Sequence, residues 1–220
     1  MDSLTRSRGV RAVTVPAAVG LLAAASVIAA QAAQAAPAAA SSGNTIAVAY
    51  PVHGSTYLDV PNTTVSLGPG TLSTTLNLKT ATLTANLTLP PATVSVREFG
   101  LIPVSATTEF IQAAATTGKV DVNTGAVTAT SKIILKITRM SVAGLPVPVG
   151  GSCESATPAV ITATSRPGFS VVAGGRLTGT YTVPPFSGCG PAGLLSPLIN
   201  ESIAGPGNTI TLILGAAKTA

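Results

Sequence analysis

The chain has 220 residues, a length suited to one domain and a targeting segment. Only 9% of the residues are charged, 46% are hydrophobic and 3% are aromatic. This balance excludes an intrinsically disordered chain, because disorder requires low hydrophobicity and high net charge. The frequent threonine, valine and short apolar residues favour β-strands.

Residues 1–35 have the parts of a secretion signal peptide. Three arginines precede residue 12, an apolar run covers Val15 to Ala30, and two small-x-small cleavage patterns follow. We predict cleavage after Ala35, with Ala32 as the next candidate, and a linker over 36–43. The alternative is that the apolar run stays as a membrane anchor, since it is almost long enough to span a bilayer.

The predicted mature chain has a formal net charge of about +3, because the signal peptide takes away three arginines and Asp2 from the total of +5. Its cations are dispersed along the sequence. Nucleic-acid sites need clustered Lys and Arg, often with stacking aromatic residues, so we predict no nucleic-acid partner. A lipid or another component of the cell envelope is the partner we consider, which places the protein at the periphery of a membrane at most.

The strongest strand signal covers residues 71–90, TLSTTLNLKTATLTANLTLP. Every second residue is predicted to face inward. These residues have even numbers before Lys79 and odd numbers after it. Such alternation puts each set of side chains on one face of a strand, so we predict two antiparallel strands joined by a short turn. The positions predicted to face the core are Leu72, Thr74, Leu76, Leu78, Leu83, Ala85, Leu87 and Leu89.

Further extended segments follow the same alternation before and after this hairpin. They are predicted over 44–50, 65–67, 92–98, 101–111, 117–122, 126–142, 158–165, 176–183 and 208–214. Pro51 to Pro61 is predicted to be irregular, and Gly68-Pro69-Gly70 to form a turn. One short helix is predicted near Leu194 to Ile203, with Pro197 in its first turn and Gly205-Pro206 after its end.

These elements predict a single all-β domain over 44–220. Many short strands with turn signals and no alternating strand–helix units indicate an antiparallel β-sandwich or a partly open barrel, with one short C-terminal helix. We expect the helix to cap an open end of the sheets.

Cys153 and Cys189 are the only cysteines. In an exported protein, two cysteines predict one disulfide, which here ties the Gly150-Gly151 loop to the Gly188–Gly190 turn. A redox-active pair needs a close Cys-x-x-Cys spacing or an activated thiolate, and neither pattern is present in the sequence.

The case for catalysis is weak. The sequence has one histidine, and it lacks both the Gly-x-Ser-x-Gly and the Ser-x-x-Lys nucleophile signatures. His53, Ser55 and Asp59 lie within seven residues and form the alternative candidate, a hydrolase site. We predict no catalytic residues, no metal and no cofactor. The segment from Asp121 to Gly125 is interpreted as a hairpin turn rather than a calcium loop, because it lacks the later bidentate carboxylate.

The inward leucine positions allow two interpretations. If the sheets close tightly, these side chains are core. If they stand apart, small residues such as Ala85 and Ala129 leave an apolar cavity for an acyl chain.

Several turn and strand motifs resemble a group of uncharacterised secreted β-rich proteins of actinobacteria. The motifs are Gly68-Pro69-Gly70-Thr71-Leu72, Leu87-Thr88-Leu89-Pro90-Pro91, Gly179 to Phe186 followed by Cys189-Gly190, and Gly205 to Ile210. The resemblance implies an exported protein with β architecture, and it carries no catalytic residues. We therefore expect a secreted, non-catalytic all-β protein that acts as a structural module of the cell envelope or binds an apolar or lipid ligand. The alternatives are the hydrolase near His53 and Asp59 and a surface interaction protein.

Overall fold

A computed structural model describes residues 43–98 and 100–219. The predicted signal peptide and the linker up to residue 42 lie outside the described residues. The helices are a 3₁₀ turn (Pro191–Gly193) and α1 (Ser196–Ile203). The strands are β1 (Thr45–Leu58), β2 (Thr63–Asn77), β3 (Thr82–Thr88), β4 (Ala92–Glu98), β5 (Ile102–Val120), β6 (Val127–Val142), β7 (Leu145–Val147), β8 (Glu154–Ser155), β9 (Ala159–Ser165), β10 (Gly175–Val183), β11 (Phe186–Ser187), β12 (Gly205–Leu214) and β13 (Lys218–Thr219).

Eight antiparallel strands close into a barrel in the order β6-β9-β10-β12-β1-β2-β3-β5, and β5 pairs with β6 to complete the ring. We traced the paired residues from strand to strand around the barrel, starting at Thr45 on β1. The path returns to β1 at Ser55, ten residues further along the strand. That stagger, over strands about 4.8 Å apart, tilts the strands by about 40° from the barrel axis. The all-β prediction with one short helix is confirmed, and the sheet closes as a barrel rather than as a sandwich.

The remaining strands extend the barrel wall. β4 continues along β5 beyond the point where β3 stops pairing with it, at Ala85 and Thr116. Beyond that point the Gln112 side chain takes the place of backbone hydrogen bonds between β3 and β5. Its Oε1 accepts from the Leu87 N–H at 2.8 Å, and its Nε2 donates to the Ala85 carbonyl at 3.0 Å. β7 and β8 pair with β6, β11 pairs with β8, and β13 pairs with β1.

The two ends of the barrel differ. The loop end carries the β2–β3 turn (78–81), the β5–β6 turn (121–126) and the β9–β10 loop (166–174). The helix end, opposite, is covered by α1, whose Ile199 is buried. Between them, Phe110, Ile161 and Tyr181 contact the apolar clusters of both halves and fill the middle of the lumen.

The predicted hairpin over 71–90 is confirmed by β2 and β3, which pair Leu76 with Leu83. Its turn forms because the Asn77 Oδ1 accepts hydrogen bonds from the Lys79 and Thr80 N–H groups, at 3.0 and 3.1 Å. Such a side-chain bond to the backbone two residues on is what favours asparagine in turns. Leu78, predicted to face the core, lies exposed in this turn.

The prediction of irregular structure is wrong for Pro51–Leu58, and the predicted turn at Gly68-Pro69-Gly70 is also wrong, because both segments belong to long strands. Only residues 59–61 of the predicted irregular segment lie outside a strand, in the turn after β1. β1 runs through Pro51 to Leu58, and β2 runs through the glycines with a register shift opposite Val52 and Gly54. Gly70 fits there because a Cβ would lie 2.3 Å from the Thr88 carbonyl oxygen. The glycines therefore serve a bulge and a close strand contact instead of a chain reversal.

The predicted C-terminal helix is confirmed as α1. Pro197 occupies its first turn, where a missing N–H costs no helical hydrogen bond, and the chain becomes extended at Ala204. The described part of the chain contains no helix with the length and hydropathy needed to cross a membrane.

Candidate functional site

The predicted disulfide between Cys153 and Cys189 is present, and both cysteines are fully buried. It lies at the helix end, in a cluster with Ile137 and Ile199. The Ile137 N–H donates to the Cys153 carbonyl at 2.9 Å, so the bridge also fixes its loop to β6. The disulfide is compatible with an extracellular protein. Its burial between β6 and α1 indicates a structural role.

The residues of the hydrolase alternative are not brought together. His53 and Ser55 lie on the outer face of β1, and Asp59 follows the end of that strand. Six residues of extended chain separate His53 from Asp59 by about 20 Å. The backbone of Asp59, rather than its carboxylate, is engaged: its N–H donates to the Asn208 Oδ1 at 3.0 Å. A hydrogen-bonded triad requires far shorter distances.

The lumen contains an apolar cavity of about 50 Å³ at the loop end, which we call the loop-end cavity. Ala85 and Ala129, the small residues singled out in the sequence, both line it. The other wall residues come from β1, β2, β3, β5, β6, β10, β12 and the β9–β10 loop; they are Val48, Tyr50, Leu72, Thr74, Leu76, Leu83, Thr116, Val120, Val127, Phe169, Val171, Leu177 and Leu214. Apart from Tyr50, Thr74 and Thr116, every side chain in the wall is hydrocarbon.

The β9–β10 loop, 166–174, covers the loop-end cavity, and we call it the cover. Phe169 and Val171 contribute to the cavity wall. The Tyr50 hydroxyl donates to the Val171 carbonyl at 2.6 Å, and the Ala217 N–H donates to the Val172 carbonyl at 2.8 Å. The cover therefore rests on the barrel through few tertiary hydrogen bonds, an arrangement typical of segments that open locally.

One polar atom in the cavity wall has no protein partner. Thr74 is 7% exposed, and its Oγ1 forms no hydrogen bond with the described residues. The nearby Thr116 differs, because its hydroxyl is bonded to the Ser131 hydroxyl and the Gln112 amide. Buried polar groups nearly always have a hydrogen-bond partner, so the Thr74 hydroxyl is an exception among the described residues.

A second apolar cavity, of about 70 Å³, lies at the helix end and is lined by Ala106, Phe110 and Tyr181 among others. Here the hydroxyls of Thr56 and Tyr181 are paired with each other. The Thr56 Oγ1 donates to the Thr209 carbonyl at 2.9 Å, so the Tyr181 hydroxyl donates to Thr56, at 2.6 Å. Burial raises the pKa of Tyr181, although the Thr56 contact opposes it, and burial also raises the pKa of Tyr50 in the other cavity.

Sequence reasoning missed the cover, Gln112 and Asn208. The cover has a local signal: Phe169 and two valines stand between Arg166-Pro-Gly168 and Gly174-Gly175, which is an apolar run inside a turn-rich loop. Asn208 is fully buried, yet nothing in its local sequence separates it from a turn asparagine.

No protein-family profile, characterised protein or solved structure matches this chain.

Proposed function

We propose that the protein is a secreted, non-catalytic binding module that holds the hydroxyl-bearing end of an apolar chain, such as a long-chain alcohol or a hydroxylated tail of an envelope lipid, in the loop-end cavity. The observation that carries the proposal is the hydrocarbon-lined cavity with the unpartnered Thr74 hydroxyl in its wall. Apolar cavities with few polar groups are the usual form of small-molecule sites. The disulfide and the signal-peptide pattern support the secreted part of the proposal.

The size of the cavity restricts the ligand to a narrow chain. Eight-stranded barrels have an interior that side chains fill or that holds one small ligand. The volume of about 50 Å³ is smaller than the roughly 150 Å³ cavity that accepts a benzene ring. The ligand thus places its hydroxyl-bearing end beside Thr74, among Leu83, Ala85 and Ala129, and the rest of the chain leaves past the cover.

The test is calorimetric titration with alkanols of increasing length and with the matching alkanes. Each buried methylene strengthens binding by about fourfold, so affinity rises along the series and levels off where the chain passes the cover. Thr74→Val keeps the shape and removes the hydroxyl. It should weaken alkanol binding by about two- to tenfold and leave alkane binding unchanged.

Matched alanine variants locate the site. Ala85→Leu fills the loop-end cavity and should weaken binding by about tenfold or more, which corresponds to two lost methylene contacts. Ala106→Leu makes the same change in the helix-end cavity and should leave affinity unchanged. Ala129→Val is a smaller substitution that keeps the test available if Ala85→Leu does not fold. Absence of saturable binding, or equal loss in the Ala85 and Ala106 variants, would contradict the proposal.

A further inference from the structure

Positive charge is concentrated at the loop end of the barrel. Among the described residues, five cationic side chains lie in the loop-end connections or on the strand residues beside them, and all are exposed; they are Lys79, Lys119, Arg166, Arg176 and Lys218. One carboxylate, Asp121, accompanies them. No described residue forms a salt bridge with these cations, so their charge faces solvent.

The helix end has the opposite balance. Asp59, Glu109, Glu154 and Glu201 lie there beside Arg97, Lys136 and Arg139, which leaves an excess of one negative charge. Apolar exposure alone does not distinguish the ends, because hydrophobic side chains such as Leu194 are exposed at the helix end as well. The distribution of charge does distinguish them.

Each of the three loop-end connections presents one exposed hydrophobic side chain. Leu78 lies in the β2–β3 turn and is 53% exposed, Val122 lies in the β5–β6 turn at 77%, and Val172 lies in the cover at 76%. Apolar tips surrounded by lysine and arginine form the pattern of surfaces that rest on anionic membranes: the tips enter the headgroup boundary and the cations meet the lipid phosphates.

We propose that the loop end docks on an anionic lipid bilayer, with Leu78, Val122 and Val172 inserted among the headgroups and the five cations on the phosphates. The partner is a bilayer rather than a protein, because this end combines a net positive charge with separate apolar tips instead of one continuous apolar patch. The inference goes beyond the proposed function and does not depend on it. Docking in this orientation sets the cover of the loop-end cavity against the membrane.

The test uses the exported protein, without the predicted signal peptide over 1–35, and labels one position at a time. Val122→Cys, Val172→Cys and Leu194→Cys are each labelled with an environment-sensitive NBD group; the native cysteines do not react, because they are bridged and fully buried. Leu194, at the helix end, is the matched control, since it is 76% exposed. Vesicles of phosphatidylglycerol and phosphatidylcholine in equal parts should shift the emission at 122 and 172 to the blue and leave the emission at 194 unchanged. Soluble glycerol phosphate should produce no shift.

Charge variants give an independent readout of vesicle affinity. The triple substitution Lys79→Ala/Lys119→Ala/Arg176→Ala should weaken binding by about 100-fold, at about fivefold for each cation near the surface. The control triple Lys132→Ala/Lys136→Ala/Arg139→Ala removes as many cations from the β6 wall and should change affinity little. A shift at 194 without one at 122, equal losses in the two triples, or no vesicle binding would each overturn the docking proposal. The alkanol titration uses no vesicles, so it reports on the proposed function separately.

Discussion

The Tyr50 hydroxyl donates a 2.6 Å hydrogen bond to the Val171 carbonyl, which ties the cover to the inner wall of the barrel. Because the same tyrosine ring lines the loop-end cavity, the bond links closure of the cover to the shape of the site. Loss of this hydrogen bond should therefore change how often the cover opens.

We expect Tyr50→Phe to lower the free energy of cover opening by about 1 kcal/mol, the usual net contribution of one such bond. Amide hydrogen exchange at Gly174 and Ala217 should then be about fivefold faster, because both N–H groups bond within or beside the cover. Tyr57→Phe is the control, since the Tyr57 hydroxyl bonds to the Asn62 Oδ1 in an exposed turn. Identical exchange in Tyr50→Phe and the unmodified protein would show that the bond does not hold the cover.

The disulfide should stabilise the fold through the long loop that it closes. Cys153 and Cys189 are 36 residues apart, which corresponds to about 4 kcal/mol in the loop-entropy treatment. Cys153→Ala/Cys189→Ala should therefore lower the free energy of unfolding in urea by about that amount. Thiol labelling of the exported protein should find no free cysteine, and a full complement of reactive thiols would refute the assignment.

Asn208 joins its own segment to two others at the helix end, those of Asp59 and of Tyr181, whose carbonyl accepts from the Asn208 Nδ2 at 3.4 Å. It is fully buried, its Oδ1 accepts from the Asp59 N–H, and its Nδ2 donates to the Gly205 carbonyl at 2.7 Å. Asn208→Ala should cost about 2 kcal/mol, because it leaves a buried donor and acceptor without a partner. Asn86→Ala, on the exposed face of β3, should cost little.

Asn208→Asp keeps the shape of the side chain and replaces its amide donor with a group that is charged at neutral pH. At neutral pH it places a carboxylate against the Gly205 carbonyl, so unfolding should be easier than in Asn208→Ala. At acidic pH the protonated group can donate again, and part of the stability should return. A loss that is the same at both pH values would argue against this contact.

Alkaline pH should weaken the fold through Tyr181. Since burial raises the pKa of Tyr181, the folded state holds its phenolic proton more tightly than the unfolded chain. The stabilisation of the folded state by this bound proton is complete below the pKa of about 10 that tyrosine has in the unfolded chain. It disappears as the pH rises through the pKa of Tyr181 in the folded protein. The difference in melting temperature between the unmodified protein and Tyr181→Phe should shrink above about pH 10. A constant difference from neutral to alkaline pH would contradict this linkage.

Local patterns predicted the local elements well. The parity of residues 71–90 gave the β2–β3 hairpin, Pro197 and Gly205 bounded α1, and the two cysteines gave the disulfide. Each of these depends on residues close in sequence or on a pairing with one solution.

Closure of the barrel could not be predicted in the same way. Alternation indicates which side chains face inward, but it does not say that β12 pairs with β1 or that β3 pairs with β5. Pro51 also misled the sequence reasoning: it lacks a donor, yet it stays within β1 because its carbonyl accepts from the Gly215 N–H at 2.9 Å. The cover depends on the same closure, since Tyr50 and Val171 are 121 residues apart.

We propose that the loop-end cavity, and not the helix-end cavity, receives an apolar chain. The chain has no tryptophan and three tyrosines, and Tyr50 lines the first cavity whereas Tyr181 lines the second. An alkanol brominated on the carbon next to its hydroxyl-bearing carbon, the end that Thr74 receives, quenches a tyrosine that it contacts. We predict saturable quenching in Tyr57→Phe/Tyr181→Phe, where Tyr50 is the remaining fluorophore, and none in Tyr50→Phe/Tyr57→Phe. Quenching of Tyr181 alone, or of neither tyrosine, would contradict the account.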